Sequence, residues 1–495
     1  MSKNETNTLK LFERYQSENN PIEKNSYLKQ LLERANAKPK LKSLTIKDYR
    51  NFSNGTLKFP DSDFIVICGV NGAGKTSLIR AIAASLSWLF NRIHLNGGRG
   101  WNGRQEDISL FNNSKFCTTS LTIDVLKRLT NIEINKAFDE FEKVSSNVSE
   151  ATDIGNIYKH LKSNNKSVNT PLFEYYSLDR NNLFKEPSQS EYAKAKEATP
   201  SFGAPINLPS TMVWYKKAYD RYKDTELTST KASLKELFEM LVAAESSDDI
   251  ALITNEINKL KSSDKQFSKD FSEQVVNDIN YIVHGFISGV TEVLFTYENE
   301  TRLTFIKNDK KIFFDQLSHG EQAVFALLVD IYRKLSSRNI GDPKKGSGII
   351  LIDELDLHLH PEWQRKIVKF LPNIFKNCQF IVATHSAQII GEVKPDSVIV
   401  LKNDPSGITS WHRADRTLGV SSNEILNEIM SSSDQLSINT ESLEKYIEVE
   451  KYINNGDFST AKVKIKELED IFGETPDLIR LKFELELSDM DFDQS

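Results

Sequence analysis

Cysteine is scarce in this 495-residue chain, and no long apolar run is present. The three cysteines, Cys68, Cys117 and Cys378, have neither the paired spacing of a disulfide framework nor the spacing of zinc ligands, so we expect reduced thiols and no structural zinc. No stretch reaches the apolar length of a membrane helix, and residues 1–5 lack the basic-then-apolar order of a signal peptide. These absences predict a globular, cytoplasmic protein with no membrane partner.

An excess of basic charge is also missing. The formal net charge is −6, which gives the chain as a whole no electrostatic affinity for nucleic acid. Two local basic groups remain, Arg99–Arg104 with its tryptophan and Lys307 with Lys310 and Lys311. Small groups of this kind are more often solvated surface than binding sites, so direct DNA contact stays an open alternative.

The segment Gly69–Thr76 reads GVNGAGKT and matches the phosphate-binding pattern GxxxxGK[ST]. It follows the apolar run Phe64–Cys68, which predicts a buried strand, and it precedes a helical run, so the context favours a P-loop over a Gly-rich turn. Glycines let backbone amides close around phosphate oxygens, Lys75 reaches the terminal phosphates, and the Thr76 hydroxyl is placed to bind Mg²⁺. The predicted ATP-binding residues are Asn71, Gly72, Ala73, Gly74, Lys75, Thr76 and Ser77.

Two further apolar runs end in polar residues that suit phosphate chemistry. Gly348–Ile352 predicts a strand buried on both faces that delivers Asp353 and Glu354 to the carboxyl edge of a parallel sheet. We expect Asp353 to hold Mg²⁺ through water, and Glu354 to be the base that activates or orients the water attacking the γ-phosphate. A second such run, Gln379–Ser386, ends in His385, which we expect to contact the γ-phosphate. Taken singly, each run is also consistent with a core strand that merely ends in a polar residue.

Between these motifs, Leu317–Gln322 reads LSHGEQ and precedes an apolar-rich helical run. Ser318 suits an N-cap and Glu321, three residues later, completes a capping box, so local helix capping alone explains the pair. Ser318 also precedes Asp353 by 35 residues (353 − 318). At this point the chain resembles the ABC-type ATPases, whose signature LSGGQ is varied here to LSHGE. The resemblance implies that Ser318, Gly320 and Glu321 bind the γ-phosphate of a nucleotide held by a second protomer, and therefore a homodimer or higher oligomer.

The segment after Glu354 narrows the resemblance. Residues 355–364 read LDLHLHPEWQ and are similar to the D-loop and following helix start of soluble ABC ATPases related to RecF and SMC-type DNA-repair proteins. Leu44–Phe52 resembles the first strands of that group. Within the group, the chain is similar to the ATPase subunits of the Septu antiphage systems, including versions that accompany retrons. That resemblance implies a partner HNH nuclease and, for retron versions, a reverse transcriptase with its nucleic acid.

These elements predict an α/β fold, an ABC-type P-loop ATPase head with a helical insert and a C-terminal helical extension. The expected segments are an N-terminal helical segment at 1–38, head halves at 39–120 and 291–436, a mainly helical insert or lid at 121–290, and a C-terminal extension at 437–495. The insert carries no heptad pattern, which excludes the long coiled coil of SMC-type proteins.

Within the insert, broken helical periodicity predicts helices in Asp124–Val144 and Thr228–Ile287. Pro171–Arg180 interrupts them with a strand-like run that we assign to the central sheet. The aspartate and arginine that end this run could assist the site, although a structural ion pair is the commoner role. Upstream, Gln105 is a candidate for the Q-loop residue that couples nucleotide to conformation.

Both termini show amphipathic helical patterns. From Glu441 onward the pattern is a helix, a turn at Asn454–Gly456, a second helix and a stop at Gly473. Thr8–Ala37 has similar periodicity. Such apolar stripes suit packing onto the head and docking of a partner equally well. The C-terminal apolar positions are Leu443, Tyr446, Ile447, Val449, Ile453, Ala461, Ile465, Leu468 and Ile471.

No HNH, Toprim or other nuclease ligand pattern occurs in the sequence. The chain is therefore predicted to bind and hydrolyse ATP with Mg²⁺, to dimerise, and to govern a separate effector nuclease in antiphage defence. The alternative is a DNA-repair ATPase of the RecF and SMC type that acts directly on DNA. A third interpretation is an ATP-binding scaffold that barely hydrolyses.

Overall fold

A computed structural model describes residues 8–95, 97–109, 114–138, 144–164, 168–177, 201–228, 271–339, 341–428, 440–473 and 478–485, with residues 188, 190 and 192. The chain divides into two compact units, Met1–Val420 and Ser421–Ser495. Across the described ranges, every helix is too short or too polar to cross a membrane.

Thirteen strands in the described residues form three sheets. In chain order they are β1 Lys40–Lys47, β2 Gly55–Lys58, β3 Phe64–Gly69, β4 Phe116–Val125, β5 Arg128–Ala137, β6 Leu172–Tyr176, β7 Val290–Thr296, β8 Arg302–Lys307, β9 Lys310–Phe313, β10 Ser347–Ile352, β11 Asn377–Ala383, β12 Val398–Asn403 and β13 Thr409–Arg413.

The central sheet has six strands in the order β13-β12-β3-β11-β10-β6, and only the β12–β13 pair is antiparallel. β3 and β10 are buried along their whole length, because both faces of a parallel sheet are covered and both strands consist of apolar or small residues. The strands predicted at 64–68 and 348–352 are confirmed, and the strand predicted at 379–386 is confirmed as far as Ala383. β6 pairs in parallel with β10, which confirms the strand assigned to the central sheet after Pro171.

An antiparallel sheet, β2-β1-β4-β5, corrects the sequence interpretation of the insert. The prediction of a helix in Asp124–Val144 is wrong, because β4 and β5 pair along their full length as a hairpin. The other edge of β4 pairs with β1. Buried and partly exposed residues alternate through β4, the period of a strand with one covered face. Its β-branched residues favour that conformation. The boundary drawn at 120/121 therefore cuts through β4.

The described helices mostly lie between these strands in the chain. They are α1 Thr8–Ser17, α2 Pro21–Ala35, α3 Lys75–His94, α4 Ser149–Asn164, α5 Leu208–Thr228, α6 Phe271–Phe286, α7 His319–Ser336, α8 Pro361–Ile374, α9 Ala387–Ile390, α10 Ser422–Glu428, α11 Thr440–Asn454 and α12 Phe458–Phe472. α6 confirms the helical end of the range predicted from 228 to 287. Pro361 occupies the first turn of α8 after the N-cap His360, as predicted.

The N-terminal helices are part of the first unit's core. Leu11, Phe12 and Tyr15 of α1 and Leu31 of α2 are buried in the same apolar cluster as the strands of the central sheet. The Thr8 hydroxyl donates to the Leu126 carbonyl at 3.0 Å. The helices predicted in this segment are confirmed, and their apolar stripes are covered by the chain's own head.

The second unit is a helical assembly with its own core. α11, a turn and α12 follow the predicted order, and Gly473 ends α12 with φ 71°. Its buried residues are Tyr446, Val449, Ile453, Ala461, Ile465, Leu468, Leu478, Leu481 and Leu485. Ile471, the last member of the predicted apolar set on this helix, is 61% exposed and lies outside the buried core. It lies roughly 90° around the helix from the stripe that Ala461, Ile465 and Leu468 form.

Candidate nucleotide-hydrolysis site

The P-loop joins β3 to α3 at the carboxyl edge of the central sheet. Gly74 is the residue that enters α3, with a left-handed φ of 88°. A Cβ at that position would lie 2.8 Å from the Phe52 ring, so backbone geometry and packing both require glycine. Asn71 and Gly72 are exposed, whereas Ala73 is buried against the core. The tip of the loop is therefore open to a ligand while its base is anchored in the core.

Lys75 lies inside this loop. Its side chain is 6% exposed, and Nζ donates to the carbonyls of Gly69 at 3.0 Å and Val70 at 3.1 Å. Burial lowers the pKa of Lys75, and the carboxylates of Glu354 and Asp353 oppose that shift. The ammonium is thus held at the loop with the acidic strand end beside it, where it can exchange its carbonyl partners for phosphate oxygens.

The acidic pair follows β10 at the same edge. Asp353 is 1% exposed, and its amide donates to the Tyr176 carbonyl of β6 at 2.9 Å. Glu354 has φ 47°, a left-handed backbone conformation that residues other than glycine rarely adopt. Leu355 donates its amide to the Ala383 carbonyl at 3.2 Å, which fixes the turn on both sides of the glutamate. Backbone strain of this kind is a feature of functional sites.

His385 follows β11, which lies between the P-loop strand and the acidic strand. Burial and then Lys75 lower the pKa of His385, against the opposing charges of Asp356 and Glu354, so the imidazole is neutral at physiological pH. The Thr384 hydroxyl donates to the Asp356 carboxylate and accepts from the Ser386 amide at 2.9 Å. The loops that carry the histidine and the glutamate are therefore linked.

A cavity of about 630 Å³ joins the predicted metal-binding residues. Thr76 and Asp353 both line it, along with Arg80, Trp101 and Tyr175. A hydroxyl and a carboxylate suit Mg²⁺, which favours octahedral oxygen ligands and retains water and substrate phosphate in the remaining positions. Among the residues that the structure describes, no three His, Cys, Asp or Glu side chains form a metal-binding group, so protein ligands alone do not make a cage. The donors present fit a Mg²⁺ ion bound together with nucleotide.

Arg50 is a candidate that the sequence interpretation missed. Its guanidinium donates to the Ser77 hydroxyl at 3.1 Å and pairs with Asp107 at 2.7 Å. The Tyr49 hydroxyl donates to the Ser77 carbonyl at 3.1 Å. The antiparallel sheet thereby contacts the first turn of α3, and the predicted phosphate-binding Ser77 has protein partners. Only the resemblance at Leu44–Phe52 pointed to this segment.

Ser318 is the N-cap of α7, as predicted, and it is exposed. The Ser318 amide and hydroxyl donate to Glu321 Oε2 at 2.9 Å and 2.8 Å, and the Glu321 amide donates back to the Ser318 hydroxyl at 3.3 Å. Gly320 packs against the segment after Glu354, where a Cβ would lie 2.7 Å from the His358 carbonyl oxygen. The predicted signature segment is thus a capped helix start that packs closely against the segment after Glu354 in its own chain.

The remaining sequence candidates have separate environments. Gln105 is exposed and its amide donates to the Phe138 carbonyl at 3.1 Å. In the first basic group, Trp101 packs edge-on against Phe202 and Tyr175, so the ring serves packing. Asp179 and Arg180 lie outside the described residues, as do residues 486–495. All three cysteines are free thiols, as predicted, and all three, Cys117 included, are buried.

Comparison with known proteins identifies the family. The family described as "AAA domain, putative AbiEii toxin, Type IV TA system" matches residues 64–391. The chain is 28% identical over 384 residues to the retron Vc95 probable ATPase of Vibrio cholerae serotype O1 biovar El Tor, covering 74% of each chain. It is 26% identical over 402 residues to the retron Ec83 probable ATPase of Escherichia coli, again covering 74% of each.

Two further matches are a Septu protein and a solved Smc head. The Septu protein PtuA of Bacillus thuringiensis is 31% identical over 121 residues, which cover 22% of this chain and 31% of that protein. Among solved structures, the Smc head bound to the C-winged helix domain of ScpA matches with a TM-score of 0.43 and 13% identity, covering 75% of this chain and 97% of that one. The chain therefore belongs to the family described as "AAA domain, putative AbiEii toxin, Type IV TA system" and is an ATPase related to the retron and Septu ATPases.

Proposed function

We propose that this ATPase works as a dimer in the cytoplasm and governs a separate effector nuclease in antiphage defence. The observation that carries the proposal is the separation of two environments in one chain. Lys75, Asp353, Glu354 and His385 meet at one sheet edge, whereas Ser318 is exposed at the start of α7 with Glu321 as its partner. An exposed signature helix start is available to a nucleotide held by another copy.

Within one copy, each of these residues has a separate role in ATP binding or hydrolysis. The P-loop amides from Asn71 to Ser77 bind phosphate oxygens, and Lys75 supplies the cation for the terminal phosphates. Thr76, and Asp353 through water, would hold a Mg²⁺ ion, and that ion would neutralise phosphate charge. Glu354, presented by its left-handed turn, accepts the proton of the attacking water, and neutral His385 donates a hydrogen bond to the γ-phosphate.

The second copy supplies the other side of the nucleotide. The start of α7 carries the partial positive charge of a helix N-terminus, which favours an anion. We propose that Ser318 and Gly320 meet the γ-phosphate of the partner's ATP there, with Glu321 fixing Ser318. ATP then joins two copies, and its hydrolysis releases them.

The effector is proposed to be a separate protein. The sequence holds no nuclease ligand pattern, while the relatives named above are retron and Septu proteins. An HNH nuclease is the proposed partner, and a retron reverse transcriptase with its nucleic acid is proposed to join it. The second unit offers a surface for docking, because Val463, Ile471, Ile479 and Phe483 are 51% to 61% exposed. Exposed apolar groups of this kind favour burial against a partner.

Complementation between two inactive variants tests the composite site. Ser318→Arg spoils the signature but leaves the P-loop, and Lys75→Ala does the reverse. Mixing them forms heterodimers with one intact site, so ATPase activity should partly return. If heterodimers form, verified with two different affinity tags, yet no mixing ratio restores activity, the signature does not act in trans.

Purification with the co-encoded neighbouring proteins tests the effector role. We expect a nuclease to co-elute and the chain alone to leave DNA uncut. Salt-dependent DNA binding by the purified chain, in the absence of any partner, would favour the DNA-repair alternative. Metal-dependent cleavage by the chain alone, lost on changing one carboxylate, would refute the regulatory role.

A further inference from the structure

The signature helix of this chain carries a charge that the resembled signature lacks. The sequence has Glu321 where the ABC signature LSGGQ has glutamine. Glu321 is buried, and its carboxylate accepts two hydrogen bonds from Ser318 at Oε2. A bare carboxylate at this place would repel a phosphate approaching the same serine and would compete for the same helix N-terminus.

Lys307, on β8, compensates the negative charge of Glu321 on α7. It is the last residue of β8, and its Nζ lies 2.5 Å from Glu321 Oε1. The two side chains are 25% and 9% exposed, so solvent screens the pair only in part. Burial raises the pKa of Glu321, but hydrogen bonds from Lys307 and Ser318 outweigh it and hold the pKa below its ordinary value. Glu321 is therefore ionised at neutral pH, and its charge is balanced from β8.

The two oxygens of Glu321 thus have different partners. Oε1 binds Lys307, and Oε2 binds Ser318. The lysine neutralises the carboxylate and holds Oε1 toward β8. When Ser318 turns its hydroxyl hydrogen from Oε2 toward a phosphate oxygen, the Glu321 carboxylate loses that hydrogen bond. Lys307 still balances its negative charge.

Resting on the composite site proposed above, we infer that Lys307 is a positioning residue for ATP hydrolysis in trans. It neutralises Glu321 so that Ser318 can receive the γ-phosphate of ATP bound by a second copy of this chain. Lys307 belongs to the signature-donating copy and has no role in the copy whose P-loop holds that ATP.

Two lysines across the same hairpin provide a matched comparison. Lys310 pairs with Lys307 in the strand register and is exposed, and Lys311 lies 3.8 Å from exposed Glu298. Neither pairing involves the signature. Replacing Lys310 by methionine removes the same charge from the same hairpin and serves as the control.

The experiment places Lys307→Met in either copy of the complementing pair. In the Lys75→Ala copy, which donates the signature, the change should lower the restored ATPase activity about 10- to 100-fold, the range for losing a charged hydrogen-bond partner. In the Ser318→Arg copy, whose signature is already disabled, it should leave the restored activity as it was. Adding Glu321→Gln beside Lys307→Met should recover activity, because the neutral amide needs no cation. Lys310→Met in the signature-donating copy should match the unmodified pair.

The outcomes separate this inference from the proposed function. If Ser318→Arg and Lys75→Ala fail to complement at all, the composite site is wrong and Lys307 has no role in trans. If they complement and Lys307→Met lowers activity equally from either copy, the lysine acts only on folding. If the loss persists with Glu321→Gln, charge compensation is refuted. Thermal unfolding of each variant, compared with Lys310→Met, identifies a loss that comes from instability.

Discussion

Replacing Lys334 with methionine tests a buried ionic network that joins α7 to the central sheet. Lys334 Nζ lies 2.9 Å from Glu174 on β6 and 2.9 Å from Asp330 on α7, and both carboxylate side chains are 0% exposed. Methionine keeps an apolar stem of similar length but removes the ammonium. Two buried carboxylates then lose their shared cation.

The size of the effect follows from the partners that remain. Asp330 keeps Arg333 at 2.7 Å and the Tyr176 hydroxyl at 2.9 Å. Glu174 keeps the amides of Tyr175 at 3.1 Å and Gly203 at 2.9 Å. Removing one partner of a buried pair costs about 3–5 kcal/mol, and these residual donors place the loss near the lower end, about 3 kcal/mol. For a unit this large, about 2 °C per kcal/mol predicts a melting temperature lowered by about 6 °C.

Scanning fluorimetry of the whole chain measures the shift, with Lys369→Met as the matched control. Lys369 also forms an ion pair, 2.6 Å from Glu392, but its side chain is 72% exposed. Exposed pairs contribute about 1 kcal/mol or less, so the control should melt within about 2 °C of the unmodified chain. Equal melting temperatures for the two variants would refute the reasoning that burial makes Lys334 important.

Three further predictions concern the nucleotide site and the second unit. Lys75→Ala should weaken ATP binding about tenfold or more, whereas Glu354→Gln should retain binding and slow turnover about 100-fold or more, because only the first removes ground-state charge pairing. Filter binding and phosphate release measured on the same samples check this, and unmodified turnover in Glu354→Gln would show that another group activates water. Gly320→Ala should lower turnover while leaving ATP affinity intact, since its Cβ would meet the His358 carbonyl at 2.7 Å; a variant with full ATPase activity would show that this packing is dispensable. Removing the chain from Thr440, where α11 begins, should preserve ATP affinity and abolish recovery of the nuclease in a pull-down, and unchanged recovery would place docking elsewhere.

The motifs that the sequence predicted well depend on neighbours in the chain. The P-loop, the Ser318–Glu321 capping box and the proline at the start of α8 each span a few residues, so spacing alone fixes their geometry. The buried strands are equally local, because a run of apolar residues bounded by polar ones has one stable place in a parallel sheet. Where such strands end, polar residues reach the same edge. The acidic pair and His385 were therefore predictable in position.

The β4–β5 hairpin shows where local patterns misled. Polar Thr119 and Thr130 on the covered face and the exposed Leu129 on the other face weaken the apolar contrast, so the same sequence also fitted a broken helical period. Pairing with β1, far upstream in the chain, decided the conformation. Ile471 shows the same limit on a smaller scale, since only the packed helices decide which side of a stripe is covered.

The sequence by itself therefore determined where the elements of the predicted nucleotide site lie: a glycine-rich loop before a helix, an acidic strand end, a histidine strand end and a capped helix start. The tertiary structure decided which charges are balanced and by what. Lys307 forms an ion pair with Glu321, and Lys334 forms one with Glu174. Arg50 donates a hydrogen bond to Ser77. Such partners are separated along the chain and are brought together by sheet order and helix packing. The spacing of residues in the sequence therefore does not predict them. The sequence shows which residues are charged. The free energy of each ionised group depends on its burial and on the neighbouring charges that the fold places beside it.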